Sequence, residues 1–170
     1  MSGKKPNPIQ EKRECRAHME SACKTYNARL NDLTLITVEK NRSDDNVQIV
    51  RDTLRAAQAA DATTVLIQTG PFVWKFREQI SKRDEKFFIN NTFQSEIQEG
   101  KKLIPKQDFN DDEITSLMQS LKRTYHLMTL PEREVIWRHV IDMLKAYAQY
   151  LGCDKKLLDL EKQIKLLAKS

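Results

Sequence analysis

The sequence holds 170 residues, with 29 Lys+Arg against 24 Asp+Glu for a net charge of +5, 39% apolar residues, and only 4 Gly and 5 Pro. So few turn formers exclude a sandwich or barrel of many short strands, and the length suits one helical domain over 1–170. No run reaches the ~18 apolar residues that span a bilayer, and three cysteines are too few for a disulfide scaffold.

Asn7-Pro8-Ile9-Gln10 predicts a helix start. Asn7 caps, Pro8 takes a first-turn position that needs no amide hydrogen, and Gln10 completes a capping-box-like pair. Met19, Cys23, Tyr26, Leu30 and Leu33 then recur at helical spacing, which carries the helix to about Glu39. The polar run Asn41–Asn46 breaks it, and Ser43 or Asp44 caps a second helix bearing Val47, Val50, Leu54 and Ala57. The alanines Ala56, Ala57, Ala59 and Ala60 would let another helix approach closely. This helical pattern can run on through Val65 and Leu66. Thr63–Ile67 is also β-prone, but it has no second strand to pair with and is read as helix.

Gly70-Pro71 is expected to end one helix and begin the next, whose face is Phe72, Val73, Phe76 and Ile80. A polar joint at Ser81–Asp84 precedes Phe87-Phe88-Ile89, and Asn90-Asn91-Thr92 marks a turn. From Gly100 to Asp108 periodicity is lost, which predicts a long loop suited to binding. Asp111-Asp112-Glu113 suits a helix N-terminus, followed by a stripe of Ile114, Leu117, Met118, Leu121, Tyr125 and Met128. Leu130-Pro131-Glu132 opens the strongest helix, with Ile136, Val140, Leu144, Tyr147 and Leu151 on one face and Gly152 as its expected stop. Asp154 would then cap a last, docking helix over 154–169. In it Leu157, Leu160, Ile164 and Leu167 form a heptad-like seam, open either to the same chain's core or to another molecule. The fold expected is all-α, a compact bundle of about six helices.

The charge is uneven. Residues 1–16 carry Lys4, Lys5, Lys12, Arg13 and Arg16 against Glu11 and Glu14, and residues 155–170 carry five lysines against Asp159 and Glu161, each a net +3. The body between them is close to neutral. Basic ends, including the N-terminal segment 1–8, suit an acidic partner or serve solubility. The odd cysteine count points to a reducing, cytoplasmic setting. The opening Met1–Lys5 lacks the apolar region of a signal peptide, and Ser2 stands where N-myristoylation requires glycine.

No pattern demands catalysis or a cofactor. Cys15, His18 and Cys23 share one helix, but the step from His18 to Cys23 turns the latter off their common direction, so packed cysteines and a surface histidine are expected in place of zinc. Cys15 and Cys23 lie ~12 Å apart along a straight helix, too far to bridge. His126 and His139 belong to no nucleophile signature, and His139 is expected to face solvent. Neither G-x-G-x-x-G nor a P-loop occurs, and the paired carboxylates at Asp44-Asp45 and Asp111–Glu113 are explained by capping. Trp74-Lys75-Phe76-Arg77, with Lys82, Arg83, Lys86 and Phe87-Phe88, interleaves bases with aromatics. That mixture could stack on single-stranded nucleic acid. Helical spacing favours a core face instead, with Trp74 left as a partner anchor.

The segments Gly70-Pro71-Phe72-Val73-Trp74-Lys75-Phe76-Arg77-Glu78-Gln79-Ile80 and Asp84-Glu85-Lys86-Phe87-Phe88-Ile89 resemble short helical proteins of large nucleocytoplasmic DNA viruses, some of them virion or capsid-associated. The resemblance implies an assembly or virion role and carries over no functional residue. The reading is thus a non-enzymatic structural or assembly protein whose partners are other protein subunits. Its partner-binding residues would be Trp74, Lys75, Arg77, Leu157, Leu160, Ile164 and Leu167. The alternative is a nucleic-acid-binding protein using the basic termini and the Trp74–Lys86 region.

Overall fold

Asn7 caps the first helix as its position predicts, its side-chain oxygen accepting the Ile9 N–H at 3.0 Å. The computed structural model describes residues 3–103 and 111–170; the side chains of 100–103, 111–114 and 117 lie outside the described set. Among the described residues there are eight helices and no strand, an all-α fold. They are α1 (Pro8–Lys40), α2 (Asp45–Ala60), α3 (Thr64–Lys75), α4 (Arg77–Ser81), α5 (Glu85–Asn90), α6 (Gln94–Leu103), α7 (Asp111–Leu127) and α8 (Leu130–Lys169).

The two long helices, α1 of 33 residues and α8 of 40, organise the rest. Their ion pairs fix an antiparallel register. Lys12 meets Glu161 at 3.3 Å, Arg29 meets Asp142 at 3.1 Å, and Lys40 meets Glu132 at 3.0 Å, so each step along α1 is matched by a step back along α8. These surface pairs add little energy individually; apolar burial holds the helices together. Tyr26 and Leu66 are fully buried and pack with Cys23, Met143, Ala146 and Tyr147, joining α1, α3 and α8 in one core. Leu30, Leu33 and Leu151 pack against its edge, as the periodic stripes predict.

The helices differ from the expected six in two ways: the short α5 and α6 are added, and three punctuation marks act otherwise than expected. The second helix does not run through to Leu66. Asp61 accepts the Thr63 N–H at 2.9 Å and the Thr63 hydroxyl at 2.8 Å, and this side-chain turn competes with the helix and ends α2. From α1, Cys23 Sγ and Asn27 Nδ2 both donate to the Ala62 carbonyl, at 2.9 and 2.7 Å, pinning the turn. Ala56, Ala59 and Ala60 are exposed and only Ala57 is half-buried, so most of the alanine-rich stretch faces away from its neighbours; the buried residue of α2 is Val47, at its other end.

Gly70-Pro71 lies inside α3 and is not a boundary. Proline normally pushes its predecessor out of the helical region partly through a clash with that residue's Cβ; glycine has none. The chain breaks later, at Phe76, which separates α3 from the short α4. Asn91–Phe93 forms a turn, with Asn91 Oδ1 accepting the Phe93 N–H at 2.8 Å. The expected loop from Gly100 is helical as far as Leu103, and 104–110 lie outside the described residues.

Gly152 is the third correction. α8 starts at a capping box, Thr129 with Glu132, and continues unbroken through Gly152 and Asp154 to Lys169, so no separate 154–169 helix exists. Gly152 is exposed, lacks a positive φ, and an added Cβ there would meet nothing within 4 Å. Helix-interior glycine costs roughly 0.5–1 kcal/mol relative to alanine. Gly152→Ala is therefore expected to raise the unfolding free energy by about that amount and shift the denaturant midpoint upward at unchanged m; a lowered midpoint would mean that the helix ends there.

Candidate docking surface

Trp74, Lys75 and Arg77 sit where α3 gives way to α4. The Trp74 ring is 37% exposed, packs edge-on against Tyr147 with centroids 6.4 Å apart, and lies 4.8 Å beneath the Arg77 guanidinium. Arg77 also donates to the Trp74 carbonyl at 3.0 Å. Lys75 pairs with Glu96 at 2.9 Å, which raises the lysine's pKa and lowers that of the carboxyl. Trp74 is thus anchored inward and roofed by Arg77, and Lys75 is engaged within the chain.

The aromatics that could have joined Trp74 in stacking bases face one another instead. Phe76 contacts Phe87, Phe88 and Phe93 at centroid distances of 5.6, 6.1 and 5.6 Å, and Phe88 meets Trp137 at 5.7 Å. Phe76, Phe88, Phe93 and Trp137 line two adjoining apolar cavities of about 250 and 420 Å³, which share Phe88, Phe93, Met118 and Val140. Phe93 holds a positive φ of 53°, a conformation costly for a bulky residue.

A polar cluster closes one side of the smaller cavity. Trp137 Nε1 donates to the Tyr125 hydroxyl at 3.0 Å, and that hydroxyl donates to Glu85 at 2.5 Å. Arg133 donates to Glu85 at 3.3 Å, to the Tyr125 carbonyl at 3.1 Å and to the His126 carbonyl at 3.0 Å. Desolvation, reinforced by the Glu85 hydrogen bond, pushes the Tyr125 phenol up to about 12. Its proton therefore stays in place at neutral pH, and the arrangement acts as a clamp between α5, α7 and α8. Sequence spacing missed this cluster because its members come from three helices.

Cys15 and Cys23 are buried and His18 is exposed. His139 is half-buried, contrary to expectation, because α8 is covered on more than one side. No group of three or more His, Cys, Asp or Glu converges among the described residues. No helix among them is long and apolar enough to cross a membrane.

The second predicted surface, the seam on the last turns of α8, divides in two. Leu160 is only 4% exposed; it packs by Pro8 and Glu11 at the start of α1, so this position is covered within the chain. Leu157 and Ile164 on the same side are half-buried, while Leu167 is 64% exposed. Lys12–Glu161 and Lys156–Glu11 pin the two helices here at 3.3 and 3.6 Å.

The opposite face of these turns, which the heptad reading passed over, carries Leu158 and Leu166 at 54% and 69% exposure. Lys155, Lys162, Lys165 and Lys169 share it. At 3.6 residues per turn these six side chains fall within an arc of about 100°. The spacing was present in the sequence; which stripe faces inward is decided by α1. No family model, no curated protein and no solved structure matches the chain.

Proposed function

We propose that this chain is a non-enzymatic structural or assembly protein that works through helix-mediated contacts with other protein subunits. The observation that carries this reading is the outer face of the last turns of α8, where Leu158 and Leu166 stand exposed on a helix whose other side is already seated on α1. A face held rigid in advance loses little conformational freedom on docking. Exposed leucines on it mark a place for a partner. The resemblance at Gly70–Ile89 supports a virion or minor capsid setting, and three free thiols suit a reducing cytoplasm before incorporation.

The test is site-specific photo-cross-linking of the full chain in extract of its native source, with the photoreactive side chain at Leu166 and, as control, at Ile49, which is 47% exposed on α2. A discrete cross-linked protein band from Leu166 and none from Ile49 is expected. Equal yields, or none from Leu166, would overturn the reading.

Nucleic-acid binding is the second reading, favoured by one observation. The antiparallel α1–α8 pairing brings the two basic ends, net +3 each, to the same pole. Phosphate contacts release counterions, so binding of this kind weakens steeply between low and moderate salt. Binding that is flat with salt, or absent at low salt, discards it.

A further inference from the structure

We infer that the pole formed by the start of α1 and the last turns of α8 is a receptor for an acidic amphipathic helix of a partner protein. This inference rests on the docking reading above and names the chemistry of the partner.

The charge concentration is a product of the fold. Lys4, Lys5 and Arg13 lie at one end of the sequence and Lys155, Lys162, Lys165 and Lys169 at the other, and the α1–α8 register brings them to one pole. Pairing consumes part of the charge. Lys12 and Arg16 are engaged with Glu161, and Lys156 with Glu11. The other seven basic side chains have no carboxylate partner among the described residues, so the exposed remainder is more one-sided than the composition suggests. Such a field attracts a partner of opposite sign, speeds encounter and rejects basic competitors.

Charge alone would fit phosphate as well as carboxylate; the leucines separate the two. Leu158 and Leu166 lie eight residues apart, about 12 Å along the helix, within the lysine arc, and both are exposed. A phosphate backbone offers nothing to bury them against. An amphipathic helix offers both kinds of group, with apolar side chains at a two-turn repeat to pack on Leu158 and Leu166 and glutamates beside them for the lysines. A bilayer also offers both, but it favours leucines gathered on one face and lysines on another. Here both occupy the same arc.

The test uses the full chain and four probes followed by fluorescence anisotropy or sedimentation. These are a synthetic helical peptide with Leu at 3–4 spacing and Glu between, a scrambled peptide of identical composition, a 20-mer oligonucleotide in single- and double-stranded form, and phosphatidylcholine vesicles containing phosphatidylserine. The periodic peptide is expected to bind at least about tenfold more tightly than the scrambled one. Leu158→Ser with Leu166→Ser should remove that advantage and leave the salt dependence. Lys162→Glu with Lys165→Glu should weaken binding and flatten the salt dependence. All four positions are exposed, and circular dichroism confirms that each variant keeps its helix content.

Equal binding of the two peptides, tighter binding of oligonucleotide or vesicles, or no binding of any probe would overturn the inference. If the Leu166 cross-link forms and the periodic peptide fails, the docking reading stands and the partner class is wrong. If the cross-link is absent, the docking reading itself falls.

Discussion

Gly70→Ala should destabilise the protein by about 2–3 kcal/mol, the upper range for overpacking a well-filled core, although the same substitution inside most helices is favourable. A Cβ built on Gly70 would stand 2.2 and 2.4 Å from two carbons of the Tyr147 ring, far inside contact distance. That ring cannot step aside. Tyr147 is 7% exposed and wedged between Tyr26 and Trp74, each with its centroid 6.4 Å away. The usual helix-propensity gain of roughly 1 kcal/mol is not available in full here, because the new Cβ also precedes Pro71, and displacement of a core aromatic outweighs what remains of it. For a chain of this size the loss corresponds to a fall of about 5–10 °C in Tm.

Tyr147→Leu removes the obstacle, so a double-mutant cycle should show strong favourable coupling. Gly70→Ala should cost much less in the Tyr147→Leu background than in the native one. Equal costs in both backgrounds would mean that α3 and α8 do not approach at Gly70. Together with the expected gain from Gly152→Ala, this gives two helical glycines with opposite signs, decided by what faces each of them.

The same contrast explains how far the sequence could be read. Signals that act on their own neighbourhood were legible. Asn7-Pro8 starts α1, Asp44 caps α2 with its side chain on Asn46 N–H at 3.1 Å, and the stripe from Cys23 to Leu33 faces the core. Signals whose meaning depends on a distant element were not. Gly70 resembles a terminus until Tyr147 is known to stand opposite, and Gly152 resembles a stop until α8 is seen to continue. Asp61 was unremarkable in periodicity, yet its carboxylate on Thr63 splits the second helix.

The candidate surface divides along the same line. The excess charge at both ends could be counted from residues alone, but its convergence depends on α1 pairing with α8 across most of the chain. That pairing also covers Leu160 and leaves Leu158 and Leu166 outward. The clamp of Glu85, Tyr125, Arg133 and Trp137 had little signal, since only Arg133 and Trp137, four apart on α8, share a helix and the other two members come from α5 and α7.

Stability should fall as pH rises above about 8.5, first through the Cys23 and Cys153 thiols that burial pushes up and then more steeply through the tyrosines, and Tyr26→Phe should remove a large part of the steeper limb. Burial pushes the Tyr26 phenol up to about 12, and Tyr125 is likewise raised to about 12 by desolvation and Glu85. Burial moves Tyr147 and Tyr150 in the same direction, so all four tyrosines of the chain titrate later when folded. Above pH 10 the unfolded chain has released phenolic protons that the folded chain still holds. Folding then requires proton uptake, so the stability present below pH 10 is lost as pH rises toward 12.

For fully buried Tyr26 a displacement of about two pH units corresponds to on the order of 2–3 kcal/mol at complete titration. Its hydroxyl bonds Thr69 Oγ1 at 2.7 Å, and since Thr69 donates to the Val65 carbonyl, Tyr26 supplies the proton of that bond. Ionising Tyr26 therefore strands a charge in the core, and Thr69 can donate to the phenolate only by giving up its bond to the Val65 carbonyl. Tyr26→Phe should cost about 1 kcal/mol at pH 8, the net worth of one hydrogen bond. Denaturant unfolding from pH 8 to 11.5 should then show the two stability curves converging or crossing as the native protein loses its excess. Parallel curves across that range would mean that Tyr26 titrates alike in both states and that its burial does not govern the alkaline limb.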